Sequence, residues 1–187
     1  MKRCEETFRP DEERPDKIRP EIHAVIGKER VPTMADRASL PYTNAALHEA
    51  QRMANILPLN VIHRTTCDTV VDGKHSIPGD TIVMAQIYNV MRRGSVFDKP
   101  AEFAPERFLM ADGKTPNKET VEQLIPFSMC KRQCAGEGLA RMELFLGLAC
   151  LLQKYKILPP KEGELDLTPV EASILFPKAN LLQLVPV

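Results

Sequence analysis

Apolar residues fall at helical spacing in three stretches of this chain, and β-branched runs bounded by turn residues fill two more. Between Pro20 and Ile26 the apolar Ile22, Val25 and Ile26 share one face, with Pro20 suited to a first turn and Gly27 to a C-terminal cap; a short amphipathic helix is expected. A second helix is expected to begin near Leu40-Pro41, to carry Ala46, Leu47, Ala50 and Met53 on its buried stripe, and to end before Pro58. Its Glu49 and Arg52 share a face. Arg64 to Val71 and Thr81 to Ile87 are β-prone runs separated by the turn signals Asp72-Gly73 and Pro78-Gly79-Asp80, which predicts a small mixed or antiparallel sheet. Residues 94–133 mix proline, glycine and charge without a period, so a long irregular stretch is expected there. The clearest helix follows, from about Gly136 to Tyr155, with Leu139, Met142, Leu146, Ala149, Cys150 and Gln153 at helical steps. The tail from Leu165 to Val187 reads as a closing β-hairpin.

Composition narrows the function classes. The 187 residues are 43% hydrophobic, enough for a core in one or two compact domains. Lys+Arg 25 against Asp+Glu 25 gives no net field, so no nucleic-acid partner is expected and any basic patch is local. Residues 1–19 are charge-dense, interrupted by Pro10 and Pro15, and lack the apolar core of a signal peptide; a solvated arm is expected ahead of a unit spanning 20–187. The longest apolar run, Leu144 to Leu152, is far below the roughly 20 residues that cross a bilayer, so no anchor is expected in this chain. An odd count of five cysteines without a secretory signal points to reduced thiols.

One of those thiols stands where chemistry is favoured. The run Phe127-Ser128-Met129-Cys130-Lys131-Arg132-Gln133-Cys134-Ala135-Gly136 ends at the start of the long helix, whose dipole and unpaired amides favour an anionic sulfur. Gly136 lets a flat ligand approach the backbone, and Arg132 supplies a cation beside it. Cysteine statistics alone favour a buried, inert thiol. Glu49 and Arg52, taken by themselves, are a solvated pair worth about 0.2–0.5 kcal/mol.

Together these segments resemble the cytochrome P450 family. The thiol run is similar to its Phe-x-x-Gly-x-Arg/His-x-Cys-x-Gly signature, Glu49-Ala50-Gln51-Arg52 to its Glu-x-x-Arg motif, and Pro105-Glu106-Arg107-Phe108 to its Pro-Glu-Arg-Phe meander, all in the family's order. Asp36-Arg37, Leu40-Pro41-Tyr42-Thr43, Ala140 to Leu146 and the final Pro186-Val187 look like the animal microsomal drug- and lipid-oxidising group. The resemblance implies a mainly α fold with small β-sheets, of which this chain is the C-terminal part, and a haem-thiolate monooxygenase activity. It implies haem b with Cys134 as axial ligand of the iron, Phe127, Gly136, Arg132 and His63 as cofactor contacts, and Glu49, Arg52 and Arg107 as a buried structural network. Ile56, Leu57, Asn60, Val61, Ser173 and Ile174 are implied on the substrate side. The partners implied are O₂, a small apolar organic substrate and an NADPH-dependent reductase, with Lys131 and Arg141 on its docking surface, at the endoplasmic reticulum membrane. Two departures stand out: Cys130 occupies the glycine position of the signature, and the acid-alcohol motif of the oxygen-activating helix is absent from the sequence. A truncated, catalytically inactive fragment or incomplete gene product is the alternative, and a zinc protein using Cys130, Cys134 and histidines is a third reading.

Overall fold

The computed structural model describes residues 16–93, 96–160, 165–166, 168–170 and 173–187. Most of the arm expected over 1–19 therefore lies outside the described residues. Helix α1 spans Ile18–Val25, starting two residues ahead of the expected Pro20, and Asp16 just before it accepts from the Arg19 amide at 3.1 Å. Gly27 (φ 84°) closes it in the left-handed cap position that its missing β-carbon permits. A 3₁₀ turn at Met34–Ser39 follows, opened by Thr33 and Asp36 in a reciprocal capping box.

Helix α2, Pro41–Ala54, is the organising element. The carboxylate of Glu21 in α1 caps its start, accepting from the Tyr42 and Thr43 amides at 2.9 and 2.7 Å. Its two faces enter two cores. Ala45 packs with Ile87, Met91, Phe97, Phe108, Leu109 and Leu124; Leu40 and Leu47 pack with Ile22, Ile26, Phe145 and Ala149. The expected stripe is corrected: Ala46 and Leu47 are buried, but Ala50 is exposed and Met53 half-buried, because Glu49 and Arg52 take the inward direction instead.

The single expected sheet resolves into two antiparallel pairs. β1 (His63–Arg64) pairs with β4 (Ile82–Val83), and between them β2 (Thr69–Val71) pairs with β3 (His75–Ile77), with Val71 opposite His75. Asp72 and Gly73 are both left-handed (φ 58° and 67°), the backbone that a right-twisted hairpin turn requires. Residues 84–87 leave the ladder: Ile87 enters a helical turn and the first core. A short turn at Asn89–Arg93 precedes the irregular stretch, which contains short turns at Pro105–Phe108 and Cys130–Arg132 and helix α3, Lys118–Glu122.

Helix α4 spans Glu137–Lys154. Phe145 and Ala149 are its buried apolar residues, whereas the expected Leu139 is 56% exposed. Gln153 is buried as a polar clamp, its amide donating to the carbonyls of Gly27 and Arg30 at 2.8 Å each. Where helix was expected to run into Tyr155, the chain turns directly into strand β5, Tyr155–Leu158, stopped by Pro159-Pro160. β5 takes the tail strand β6, Gln183–Pro186, as its antiparallel partner, with Tyr155 opposite Pro186. Among the described residues the expected hairpin within the tail gives way to this long-range pair, with an isolated bridge between Val170 and Phe176 inside the tail.

Candidate metal centre

The frame beneath the candidate centre is a buried charge network. Arg52 donates twice to Glu49, Nε to Oε2 at 2.7 Å and Nη2 to Oε1 at 2.9 Å, and both side chains are fully buried. Its remaining donors reach the carbonyls of Met91 (2.7 Å), Pro100 (2.9 Å) and Glu102 (3.2 Å). Glu49 Oε1 also accepts from the Ala104 amide at 2.8 Å and from Arg107 Nε at 3.2 Å. Arg107 donates further to the carbonyls of Asp98 (2.5 Å) and Glu102 (3.1 Å). Two guanidinium groups face one carboxylate, so the ring of carbonyls solvates the positive charge left over. The Phe97 ring adds its negative face 5.4 Å from the Arg52 guanidinium. The spacing of Glu49 and Arg52 showed that they share a face; only the packing shows that the face points inward.

The thiol loop crosses from this frame to α4. It is stitched by the Ser128 amide to Ile125 O (3.0 Å), Gln133 to Cys130 O (3.1 Å), Cys134 to Phe127 O (2.9 Å) and Glu137 to Cys134 O (3.3 Å). Two residues turn it through left-handed backbone, Ser128 (φ 65°) and Cys130 (φ 64°). Cys134 emerges exposed, with Gly136 as N-cap of α4. A β-carbon at Gly136 would stand 3.9 Å from Cys134 Sγ, which is therefore the nearest atom to that open face. Phe127 is half-buried, with the Arg141 guanidinium 5.3 Å from its ring, and Arg141 Nε donates to Glu137 at 2.6 Å. Burial raises the Glu137 carboxyl, but the bonds from Gln133 and Arg141 outweigh it and hold the group below the ordinary range. Arg132 and Lys131 are exposed.

The segments expected on the substrate side converge through backbone contacts that no local pattern signals. Asn55 ends α2 in the left-handed conformation (φ 41°), and Ile56 O then accepts from the Leu175 amide at 2.8 Å, bringing Ser173 and Ile174 to the exit of α2. Ile56, Val61 and Ile174 are 61%, 55% and 40% exposed, Ser173 is exposed, and Leu57 is half-buried. Asn60 ties this segment to the thiol loop, donating from Nδ2 to Ser128 Oγ at 2.8 Å. His63 is half-buried and donates from Nδ1 to the Val61 carbonyl at 2.8 Å. Residues missed by sequence reasoning are Ser128, Ala104 and the carbonyls around Arg52, whose roles reside in backbone groups or in a hydroxyl without a motif.

The donor set discriminates between metals. Among the described residues no three His, Cys, Asp or Glu side chains gather as ligands, so the zinc reading has no coordination sphere. An exposed thiol beside an open glycine, with the half-buried Phe127 and the exposed Arg132 in the same loop, fits instead a planar group that brings its own donors and would take one sulfur from the protein.

The family model for cytochrome P450 matches residues 11–184. The chain is 41% identical over 153 residues to cytochrome P450 2U1 of Bos taurus, covering 82% of this chain and 27% of that protein. It is 43% identical to cytochrome P450 2C54 of Mus musculus over 82% of this chain and 31% of the relative. With cytochrome P450 2D4 of Rattus norvegicus the identity is 46%, over 79% and 29%. The chain thus spans less than a third of the length of these curated relatives.

Proposed function

The chain belongs to the cytochrome P450 family, and from that premise we propose that it is the haem-binding part of a haem-thiolate monooxygenase in which Cys134 is the axial ligand of haem b. The observation that carries this reading is the exposed Cys134 thiol at the entry to α4, beside the open face of Gly136. Bound haem would supply activation of O₂ for insertion of one oxygen atom into a small apolar organic substrate, with electrons from an NADPH-dependent reductase.

The chain's own residues take the remaining roles. The start of α4 would turn the positive end of its dipole toward the sulfur, while Phe127 and Gly136 would form the surface that holds the porphyrin. Arg132 and His63 would bind the propionates, His63 through the ring nitrogen that does not bond to Val61. Ile56, Leu57, Asn60, Val61, Ser173 and Ile174 hold the apolar substrate; the Leu175–Ile56 bond and the Asn60–Ser128 bond support their convergence near the thiol loop. Glu49, Arg52 and Arg107 fix α2 against the Pro105–Phe108 turn, which keeps the loop in register. Lys131 and Arg141 belong to the reductase-facing surface. Residues 20–187 are the proposed haem-binding unit, following the charge-dense sequence 1–19, and membership of the family supports the endoplasmic reticulum membrane as the proposed location; no described helix is long and apolar enough to cross a membrane.

The test is the carbon monoxide difference spectrum of the reduced, haem-reconstituted chain. A Soret band far to the red is expected, lost in Cys134→Ala and retained in Cys130→Ala. The reverse pattern, or no band in either, overturns the assignment.

A further inference from the structure

A pocket of about 450 Å³ opens on the outer side of α2 and contains no residue of the thiol loop. Its floor is one helical stripe of α2, namely Pro41, Asn44, Ala45 and His48; one wall is the Met34–Ser39 turn, and the other is the turn carrying Lys114 and Pro116. Phe108 and Leu109 close the end. Three basic side chains line it, Arg37, His48 and Lys114, and among the described residues no acidic one does. Arg37 is committed only through Nε, which donates to Asn44 Oδ1 at 2.9 Å. Among the described residues its two terminal nitrogens, the Lys114 ammonium and both ring nitrogens of His48 have no hydrogen-bond partner. The carboxylates nearest in the chain are engaged: Asp36 with Arg30 and Thr33, and Asp112 with Thr115 and the Lys114 amide, although Asp112 also feels the Lys114 charge. Glu21, which caps α2, is held by Tyr42 and Thr43.

Cations lining a concave, largely apolar surface gain from an anion that fits between them. The rest of the lining, Met34, Ala38, Pro41, Ala45, Phe108 and Pro116, offers such a ligand an apolar bed. We propose that this pocket is a binding site for a small organic carboxylate, its anionic head held by Arg37, Lys114 and the His48 ring N–H and its apolar body against Phe108 and the α2 stripe. The charge around His48 supports the same sign of ligand: burial first, then Arg141 and Arg37, push its pKa down to about 4, so the ring is a neutral donor at pH 7 set in a positive field. The inference does not rest on haem binding.

The probe is 4-phenylbutyrate, compared with its uncharged amide, titrated calorimetrically against the full chain and followed by the imidazole signals of His48. Phenylbutyrate is expected to bind about tenfold more tightly than the amide, to weaken as salt rises, and to shift the His48 resonances. Arg37→Gln and, separately, Lys114→Ala should each lower the affinity severalfold; Lys114 lies in an exposed turn, so that variant remains informative if Arg37→Gln disturbs the Asn44 contact. Equal affinity for acid and amide, unmoved His48 signals, or no loss in Lys114→Ala would overturn the proposal.

Discussion

Cys130 occupies a left-handed position, φ 64°, in the loop that delivers Cys134. A β-carbon there costs about 1–2 kcal/mol, which glycine avoids at the expense of some unfolded-state entropy. Cys130→Gly should therefore stabilise the loop by a net of about 1 kcal/mol and slow haem loss about fivefold. Haem-transfer rates to an apoglobin acceptor, measured for both forms, decide it; equal or faster loss from the glycine form would mean that the thiol sits there without strain. His48 makes a second residue-scale prediction. Its pKa falls from 6.5 to about 4 through burial and the charges of Arg141 and Arg37. Below about pH 6.5 the unfolded chain takes up a proton that the folded one refuses until about pH 4. Stability contributed by the neutral ring is therefore complete above that window and lost as the pH drops through it, by about 3 kcal/mol in all. Urea melts between pH 7 and pH 4 should show a smaller decline for His48→Gln than for the parent.

At the scale of elements, the join between α2 and the Pro105–Phe108 turn depends on one carboxylate. Removing Glu49 leaves Arg52 and Arg107 facing each other in the interior, a loss of about 3–5 kcal/mol. Glu49→Ala and Arg107→Ala should each melt well below the parent, and Glu49→Gln should fall as far as Glu49→Ala because it keeps the shape but not the charge. A parent-like melting temperature for Glu49→Gln would show that hydrogen bonding, and not charge, holds the join. The pairing of β5 with β6 is the other long-range tie, Ile157 opposite Leu184. It brings the tail back to the end of α4, while the Leu175–Ile56 bond fixes its middle to the exit of α2.

Across the whole molecule, apolar side chains stand exposed well beyond the thiol loop, among them Leu139 at 56%, Ile62 at 65%, Ile82 at 63% and Leu181 at 87%. Surfaces of this kind associate. The isolated chain should elute from size exclusion as larger species as its concentration rises and return toward a monomer in mild detergent. A concentration-independent monomer without detergent would contradict the exposure of these side chains in solution.

Sequence alone determined the three main helices, because apolar spacing, helped by Pro20 and Pro41 near two of the starts and Gly27 just past one of the ends, acts within a few residues. It also placed Cys134 immediately ahead of α4 and paired Glu49 with Arg52 on one face. Tertiary structure decided what that face meets, since the carbonyls of Met91, Pro100 and Glu102 that make burial of Arg52 tolerable come from about 40 to 50 residues away and carry no side-chain signal. The same holds for β6, which pairs with β5 across 25 residues and not with a strand of its own tail: strand pairing is settled by which backbone edge the packed helices leave open, not by the strand's own residues. The left-handed turn at Cys130 belongs to this second class too, because only the closure of the loop between Phe127 and Cys134 forces a non-glycine residue into it.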